Sequence, residues 1–247
     1  MKVGLFIPCY IDQAYPRVGM ATVTILERLG VTTVFPKEQT CCGQPMFNSG
    51  CMKETGKLAK KFYRNFKDFE YVVSPSGSCV HMVTHGYEKF YKNDAGYEHL
   101  KKHTYELSEF ITDVLNVKKI EGKFPHKVGF HQSCHGLRGL RLGTSSELNE
   151  EMTSKVRPLL ESLEGIEIVS LSRPDECCGF GGTFSVFEEA VSSFMGNDRL
   201  RDHEKAGAEI IAGYDVSCLM HLEGLIKRNN KNLKVMHIAE ILAGGVS

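Results

Sequence analysis

Lys2-Val3-Gly4-Leu5-Phe6-Ile7-Pro8-Cys9 stands near one end of the chain, and Lys127-Val128-Gly129-Phe130-His131-Gln132-Ser133-Cys134 repeats its plan half a chain later. Each is a short apolar, β-branched run that leads into a cysteine, the pattern of a strand delivering a thiol at its carboxyl end. The repetition continues outward from there. Thr40-Cys41-Cys42-Gly43 is answered by Glu176-Cys177-Cys178-Gly179, and Pro75-Ser76-Gly77-Ser78-Cys79 by Asp215-Val216-Ser217-Cys218. Leu107-Ser108-Glu109-Phe110-Ile111 is answered by His237-Ile238-Ala239-Glu240-Ile241. Self-similarity on this scale predicts two copies of one plan, residues 1–122 and 123–247.

Short β-branched runs alternate with longer amphipathic stretches, which predicts an α/β fold of two pseudo-twofold-related units with mainly parallel sheets. The strand candidates are residues 3–8, 31–35, 71–74, 128–132, 166–171 and 210–214. Between the first two, Met20, Val23, Leu26 and Leu29 form a helical stripe that stops at Gly30, a residue suited to a left-handed helix terminus. A longer helix is expected from a cap at Ser145 or Ser146, with apolar positions Leu148, Met152, Val156, Leu159, Leu160 and Leu163 and a kink or break at Pro158. Leu58, Phe62 and Phe66 recur every fourth residue among lysines. That pattern suits a surface helix with one buried face, or a docking helix for an acidic partner. The stretch 118–126 is too short for a long flexible linker, so the halves should pack as one body.

The 247 residues are 42% hydrophobic and 24% charged, enough apolar material for a true core. Thirty basic residues balance thirty acidic ones, so no positive field is available to hold a phosphate backbone, and nucleic acid is excluded as an expected partner. No apolar run is long enough for a membrane span, and the first residues lack a signal-peptide core. A cytoplasmic protein is therefore expected. Nine cysteines, an odd number in a reducing compartment, argue for metal or redox chemistry over a disulfide framework.

Cysteines that follow parallel strands meet at the carboxyl edge of a sheet, where such folds bind ligands. Cys9, Cys41, Cys42 and Cys79 form one candidate set, and Cys134, Cys177, Cys178 and Cys218 the other. Structural zinc sites draw ligands in pairs two to four residues apart, whereas the close pairs here are immediate neighbours. Adjacent thiolates reach different irons of a polynuclear cluster more easily than one ion, and a cubane [4Fe–4S] cluster takes four. One or two such clusters per chain are expected. Cys51 has no counterpart in the second half and is not counted as a ligand. His81, His135 and His221 stand close enough in sequence to tune a cluster or carry protons. Gly179-Phe180-Gly181-Gly182 matches neither nucleotide-binding fingerprint, and suits a close backbone approach to a cluster better.

With both Cys-Cys-Gly motifs in view, the chain resembles the cysteine-rich CCG-domain family, which includes the CCG-bearing component of heterodisulfide reductase and the iron–sulfur subunits of glycolate oxidase and anaerobic glycerol-3-phosphate dehydrogenase. More narrowly it is similar to the lactate utilization A group, through Cys41-Cys42-Gly43-Gln44-Pro45, Pro75-Ser76-Gly77-Ser78-Cys79, Cys177-Cys178-Gly179-Phe180-Gly181-Gly182-Thr183-Phe184 and Ser217-Cys218-Leu219-Met220-His221. The resemblance implies an iron–sulfur redox or electron-transfer subunit, not active alone, in a multi-subunit complex that oxidises L-lactate or a related 2-hydroxyacid to pyruvate. The other subunits of that complex are the implied partners. The heterodisulfide reductase branch carries a fifth cysteine in each repeat, and Ser76 and Asp215 stand in its place here, at the expected rim of each site. Two other outcomes stay open: a thiol/disulfide redox subunit, or a non-enzymatic zinc- or iron-binding module.

Overall fold

The computed structural model describes residues 1–244; the last three residues of the expected second half, 245–247, lie outside the described residues. Eight strands form two four-stranded sheets in which every pair is parallel. The first contains β1 (Lys2–Leu5), β2 (Thr32–Val34), β3 (Val72–Ser74) and β4 (Thr104–Glu106), in the order β2-β1-β3-β4. The second contains β5 (Lys127–His131), β6 (Glu167–Ile168), β7 (Ile210–Gly213) and β8 (Lys234–His237), in the order β6-β5-β7-β8. Even the register repeats, since Gly4 faces Val72 in one sheet and Gly129 faces Ile211 in the other. In each sheet the chain reverses its direction of travel between the two central strands. That is the switch point where open parallel sheets leave a crevice at their carboxyl ends.

Period-two alternation along the strands builds three cores. Val3, Leu5, Val73, Val128, Phe130, Ile210 and Ala212 point into one cluster shared by both sheets, which also takes in Ile238, Ile241 and Leu242. Phe6 and Val72 point the opposite way, onto Ala59, Phe62 and Phe66. Ile211 does the same in the second half, onto Leu200, Leu222 and Leu225. A core that draws on both halves makes the chain a single body.

All six strand candidates are strands, with ends displaced by a few residues. β4 and β8 were not anticipated. The helix Pro16–Arg28 ends at Gly30 with φ +77°, but its buried face carries Val18, Ala21, Thr22, Ile25 and Leu26. Met20 is 66% exposed, so the true stripe is turned away from the expected one. The long helix expected from residue 145 does not form. A short 3-10 turn, Ser146–Leu148, ends at Asn149 in the left-handed region, and the helix Arg157–Glu161 starts afresh with Pro158 in its first turn. Proline is tolerated there because its missing N–H has no helical partner to lose. Between them, Thr144 and Thr153 join hydroxyl to hydroxyl at 2.7 Å, and Leu148 and Met152 stay exposed. The helix Met52–Phe66 has the ordinary amphipathic role: Phe62 stacks on Phe66 at 4.5 Å and meets Phe6 edge-on at 4.9 Å.

The halves also grip each other reciprocally. Arg17 Nε meets Glu240 Oε1 at 2.8 Å, and Lys155 Nζ meets Glu109 Oε1 at 3.3 Å, with Glu109 and Glu240 at equivalent repeat positions. The turn His135–Gly139 packs on the helix Gly77–Thr84 of the other half, and a Cβ on Gly136 would lie 2.0 Å from the Tyr214 ring. Only glycine fits that approach.

After β4 and β8, buried caps start matching helical turns. Glu106 accepts the Ser108 N–H at 2.7 Å; His237 Nδ1 accepts the Ala239 N–H at 3.1 Å while Glu240 accepts the His237 N–H at 2.9 Å. Burial pushes the Glu106 carboxyl up to about 8. A raised carboxyl value means that the folded state favours the protonated form. Its contribution is complete below the ordinary carboxyl value and is lost as pH climbs through about 8. Glu106→Gln cannot ionise, so its stability relative to the native chain should rise by roughly 1 kcal/mol or more between about pH 5 and about pH 8.5, read by urea unfolding at each pH.

Candidate metal centre

The central strands aim the thiols. β1 ends at Leu5 and the helix Cys9–Ala14 begins with Cys9; β3 ends at Ser74 and Cys79 lies in the first turn of the helix Gly77–Thr84. In the second half Cys134 follows β5, and Cys218 lies in the first turn of the helix Val216–Arg228 after β7. The paired cysteines arrive on the loops that follow β2 and β6. All eight line one cleft of about 210 Å³ between the halves, together with Tyr10, Phe180, His135, Ser76 and Asp215. Cys51 is elsewhere, exposed just before the helix Met52–Phe66.

Within each half the sulfurs are in contact. Cys42 Sγ lies 3.4 Å from Cys79 Sγ, and both are buried. Cys42 and Cys9 donate to Cys41, which also accepts the Gly43 N–H at 3.3 Å, and these bonds pull the Cys41 thiol down to about 3. The donors, Cys9 and Cys42, are pushed up correspondingly. The second half repeats the arrangement: Cys134 and Cys178 donate to Cys177, the Gly179 N–H reaches it at 3.4 Å, and its thiol falls to about 2. Gly43 and Gly179 have φ of +82° and +88°, left-handed conformations that turn their N–H groups back onto the preceding sulfur. In each half one sulfur, Cys41 or Cys177, is thus the acceptor on which the others converge. Soft donors gathered this closely suit a cationic, thiophilic group that takes the place of the thiol protons.

Different supports hold the two cysteine loops. In the first half Gln39 Oε1 accepts the Ile7 N–H at 2.8 Å and its Nε2 donates to the Leu5 carbonyl at 3.1 Å, while the buried Tyr87 hydroxyl donates to the Cys42 carbonyl at 2.9 Å. In the second half Asp175, at the place of Gln39, accepts the Ser146 hydroxyl at 2.6 Å and Arg138 Nη2 at 3.2 Å. Behind it Asp202 accepts the Ser172 and Arg173 N–H groups at 3.0 and 3.1 Å, and the fully buried Arg199 pairs with Asp202 at 3.2 Å.

Two motifs so placed have a recognised counterpart. The cysteine-rich CCG domain matches residues 3–84 and again 128–223. The chain belongs to the CCG cysteine-rich domain family. Lactate utilization protein A 2 of Bacillus cereus (strain Q1) is 41% identical to it over 251 residues, covering 100% of both chains. Lactate utilization protein A of Halalkalibacterium halodurans is 44% identical over 246 residues, covering 98% of this chain and 96% of the relative. Among solved structures, a sugar ABC transport substrate-binding protein from Bordetella parapertussis covers 96% of this chain and 68% of its own at a TM-score of 0.28 and 14% identity, a likeness too weak to bear on fold or function.

In this CCG chain Ser76 and Asp215 are not at an open rim. They are 5% and 1% exposed and bond to each other. The Asp215 carboxyl accepts the Ser76 hydroxyl at 2.9 Å, the Ser78 hydroxyl at 2.7 Å and N–H at 3.1 Å, and the Ser133 hydroxyl at 2.6 Å. His135 stands at the cleft beside Cys134, with Gln44 Nε2 at 3.2 Å, and His81 stacks on His85. His221 lies farther back, near the Ser192 carbonyl at 3.3 Å. His131 was missed by sequence reasoning, although laying one repeat on the other sets it opposite Phe6.

Since Asp215 satisfies three hydroxyls and one N–H in a buried place, removing it strands all four. Asp215→Ala should destabilise the chain by about 3 kcal/mol or more, whereas Asp215→Asn, which keeps one acceptor oxygen, should cost clearly less. Equilibrium denaturation of the two variants side by side checks the order.

Proposed function

We propose that this chain is an iron–sulfur redox subunit of a multi-subunit system that oxidises L-lactate, or a closely related 2-hydroxyacid, to pyruvate. The observation that carries the reading is the convergence of two sets of four cysteines on one cleft, in a chain 41–44% identical along its length to lactate utilization protein A. Cys9, Cys41, Cys42 and Cys79 would hold one cluster, and Cys134, Cys177, Cys178 and Cys218 the other. The donor set fits the group, because it offers soft sulfur ligands, four of them buried, and backbone N–H groups directed at Cys41 and Cys177. When bound, such clusters would supply one-electron acceptors.

The protein's own residues account for the rest. Gly43 and Gly179 hold their N–H groups where they stabilise negative charge on sulfur, and burial of Cys42 and Cys178 excludes water. A hydroxyacid oxidation also needs a base and a two-electron site, so partner subunits would provide the substrate pocket. Among the described residues no helix is long and apolar enough to cross a membrane. The 3.4 Å contact between Cys42 and Cys79 also suits a single zinc ion, whose thiolates sit at about 2.3 Å from the metal. Metal analysis separates the two.

Protein purified without oxygen is expected to contain iron and acid-labile sulfide; zinc with neither would reject the cluster. A deletion strain is expected to lose growth on L-lactate. Cys51→Ser should restore it, and Cys42→Ser or Cys178→Ser should not. Undiminished growth of the deletion strain, with no second lactate-oxidising system present, would reject the lactate assignment and leave the cluster standing.

A further inference from the structure

The two halves differ at one buried position next to their thiols. Where the first half has Phe6, wholly buried against Phe62 and Phe66, the second has His131. His131 is 1% exposed, and neither of its ring nitrogens has a hydrogen-bond partner. A ring nitrogen of His131 and the sulfurs of Cys178 and Cys218 all lie within 4.8 Å of one another. If the position served packing alone, an aromatic hydrocarbon would fill it, as it does in the other half. Imidazole there leaves polar atoms desolvated and unpaired, which is costly in a dry core. The Arg199 guanidinium is engaged elsewhere, its Nε donating to His203 Nε2 at 3.2 Å and its Nη2 pairing with Asp202, while His203 Nδ1 is itself buried without a partner. The sulfurs of Cys178 and Cys218 are within reach of the ring, and neutral imidazole beside thiolates is a common metal donor set.

We infer that His131 is a nitrogen ligand of the group held by Cys134, Cys177, Cys178 and Cys218, so that the second site binds through sulfur and nitrogen while the first binds through sulfur alone. The inference rests on the iron–sulfur reading above and adds a donor to it. A nitrogen donor added to four sulfurs gives this centre a coordination that the first lacks, and the reduction potential of such centres depends on their ligands. The two sites then differ in potential, and the chain carries two unequal acceptors.

The test uses the full chain loaded anaerobically, with all histidines labelled by ¹⁵N, and reads iron, sulfide, the two midpoint potentials and nitrogen hyperfine coupling by pulsed EPR. A directly bound histidine nitrogen is expected in the native chain. It should persist in His135→Ala, which removes the imidazole that lines the cleft, and vanish in His131→Phe, where one of the two potentials should also shift. His131→Phe installs the residue that the other half already tolerates, and the labelled native chain is decisive even if that variant folds poorly. Iron and sulfide present without strong histidine coupling, or coupling that survives His131→Phe, overturns this inference alone. Loss of iron and sulfide from the native chain overturns both it and the function proposed above.

Discussion

The carboxyl of Asp215 ties the two halves together at the point where both sets of thiols are aimed. It belongs to the residue just before the helix that carries Cys218, and it accepts hydrogen bonds from Ser76 and Ser78, which open the helix that carries Cys79. A third hydroxyl, from Ser133, brings in the residue just before Cys134. Three of the eight cysteine positions therefore take their placement from one buried acceptor. Short hydroxyl side chains suit the role, because they reach the carboxyl without opening space for water. Gly77 facing Gly136 then allows the two backbones to close over the join, since a Cβ on Gly77 would lie 3.3 Å from the Gly136 Cα.

Much of this was readable in the sequence, for physical reasons that can be named. Central strands are buried on both faces and read as unbroken apolar runs, so β1, β3, β5 and β7 stand out, and so do the cysteines that follow them. Of the edge strands, β2 and β6 were readable from their β-branched residues, whereas β4 and β8 carry no such signal. β4 consists of Thr104, Tyr105 and Glu106, and β8 starts at Lys234; both are held by pairing with a neighbour and not by their own composition. The long helix read through residues 145–163, with a kink or break expected at Pro158, failed because apolar spacing alone carried it across residues 149–156, which are not helical. The chain uses that proline to begin a helix, and it spends Leu148 and Met152 on the surface. At the site the cysteines were legible because duplication marks them. His131 was not, because a single histidine inside a strand resembles an ordinary buried residue until the two repeats are laid together.

The likeness of the halves stops at their scaffolding. Around Cys41 and Cys42 the loop is fixed by an amide and a phenol, Gln39 and Tyr87, which are neutral groups bonded to backbone. Around Cys177 and Cys178 it is fixed by charged groups, Asp175 with Arg138 and Asp202 with Arg199. Buried ionic supports are unforgiving when one partner is lost, whereas neutral ones degrade more gently.

Arg17 with Glu240, and Lys155 with Glu109, make the same contact twice in opposite senses. That is the signature of an isologous interface, in which a surface meets its own copy across a two-fold axis. Two separate copies of one repeat could form such an assembly, but both of its sites would have to be identical, residue for residue. A single chain that carries both repeats is released from that rule. It keeps the symmetric grip that closes the cleft, and it is free to place phenylalanine on one side of the axis and histidine on the other.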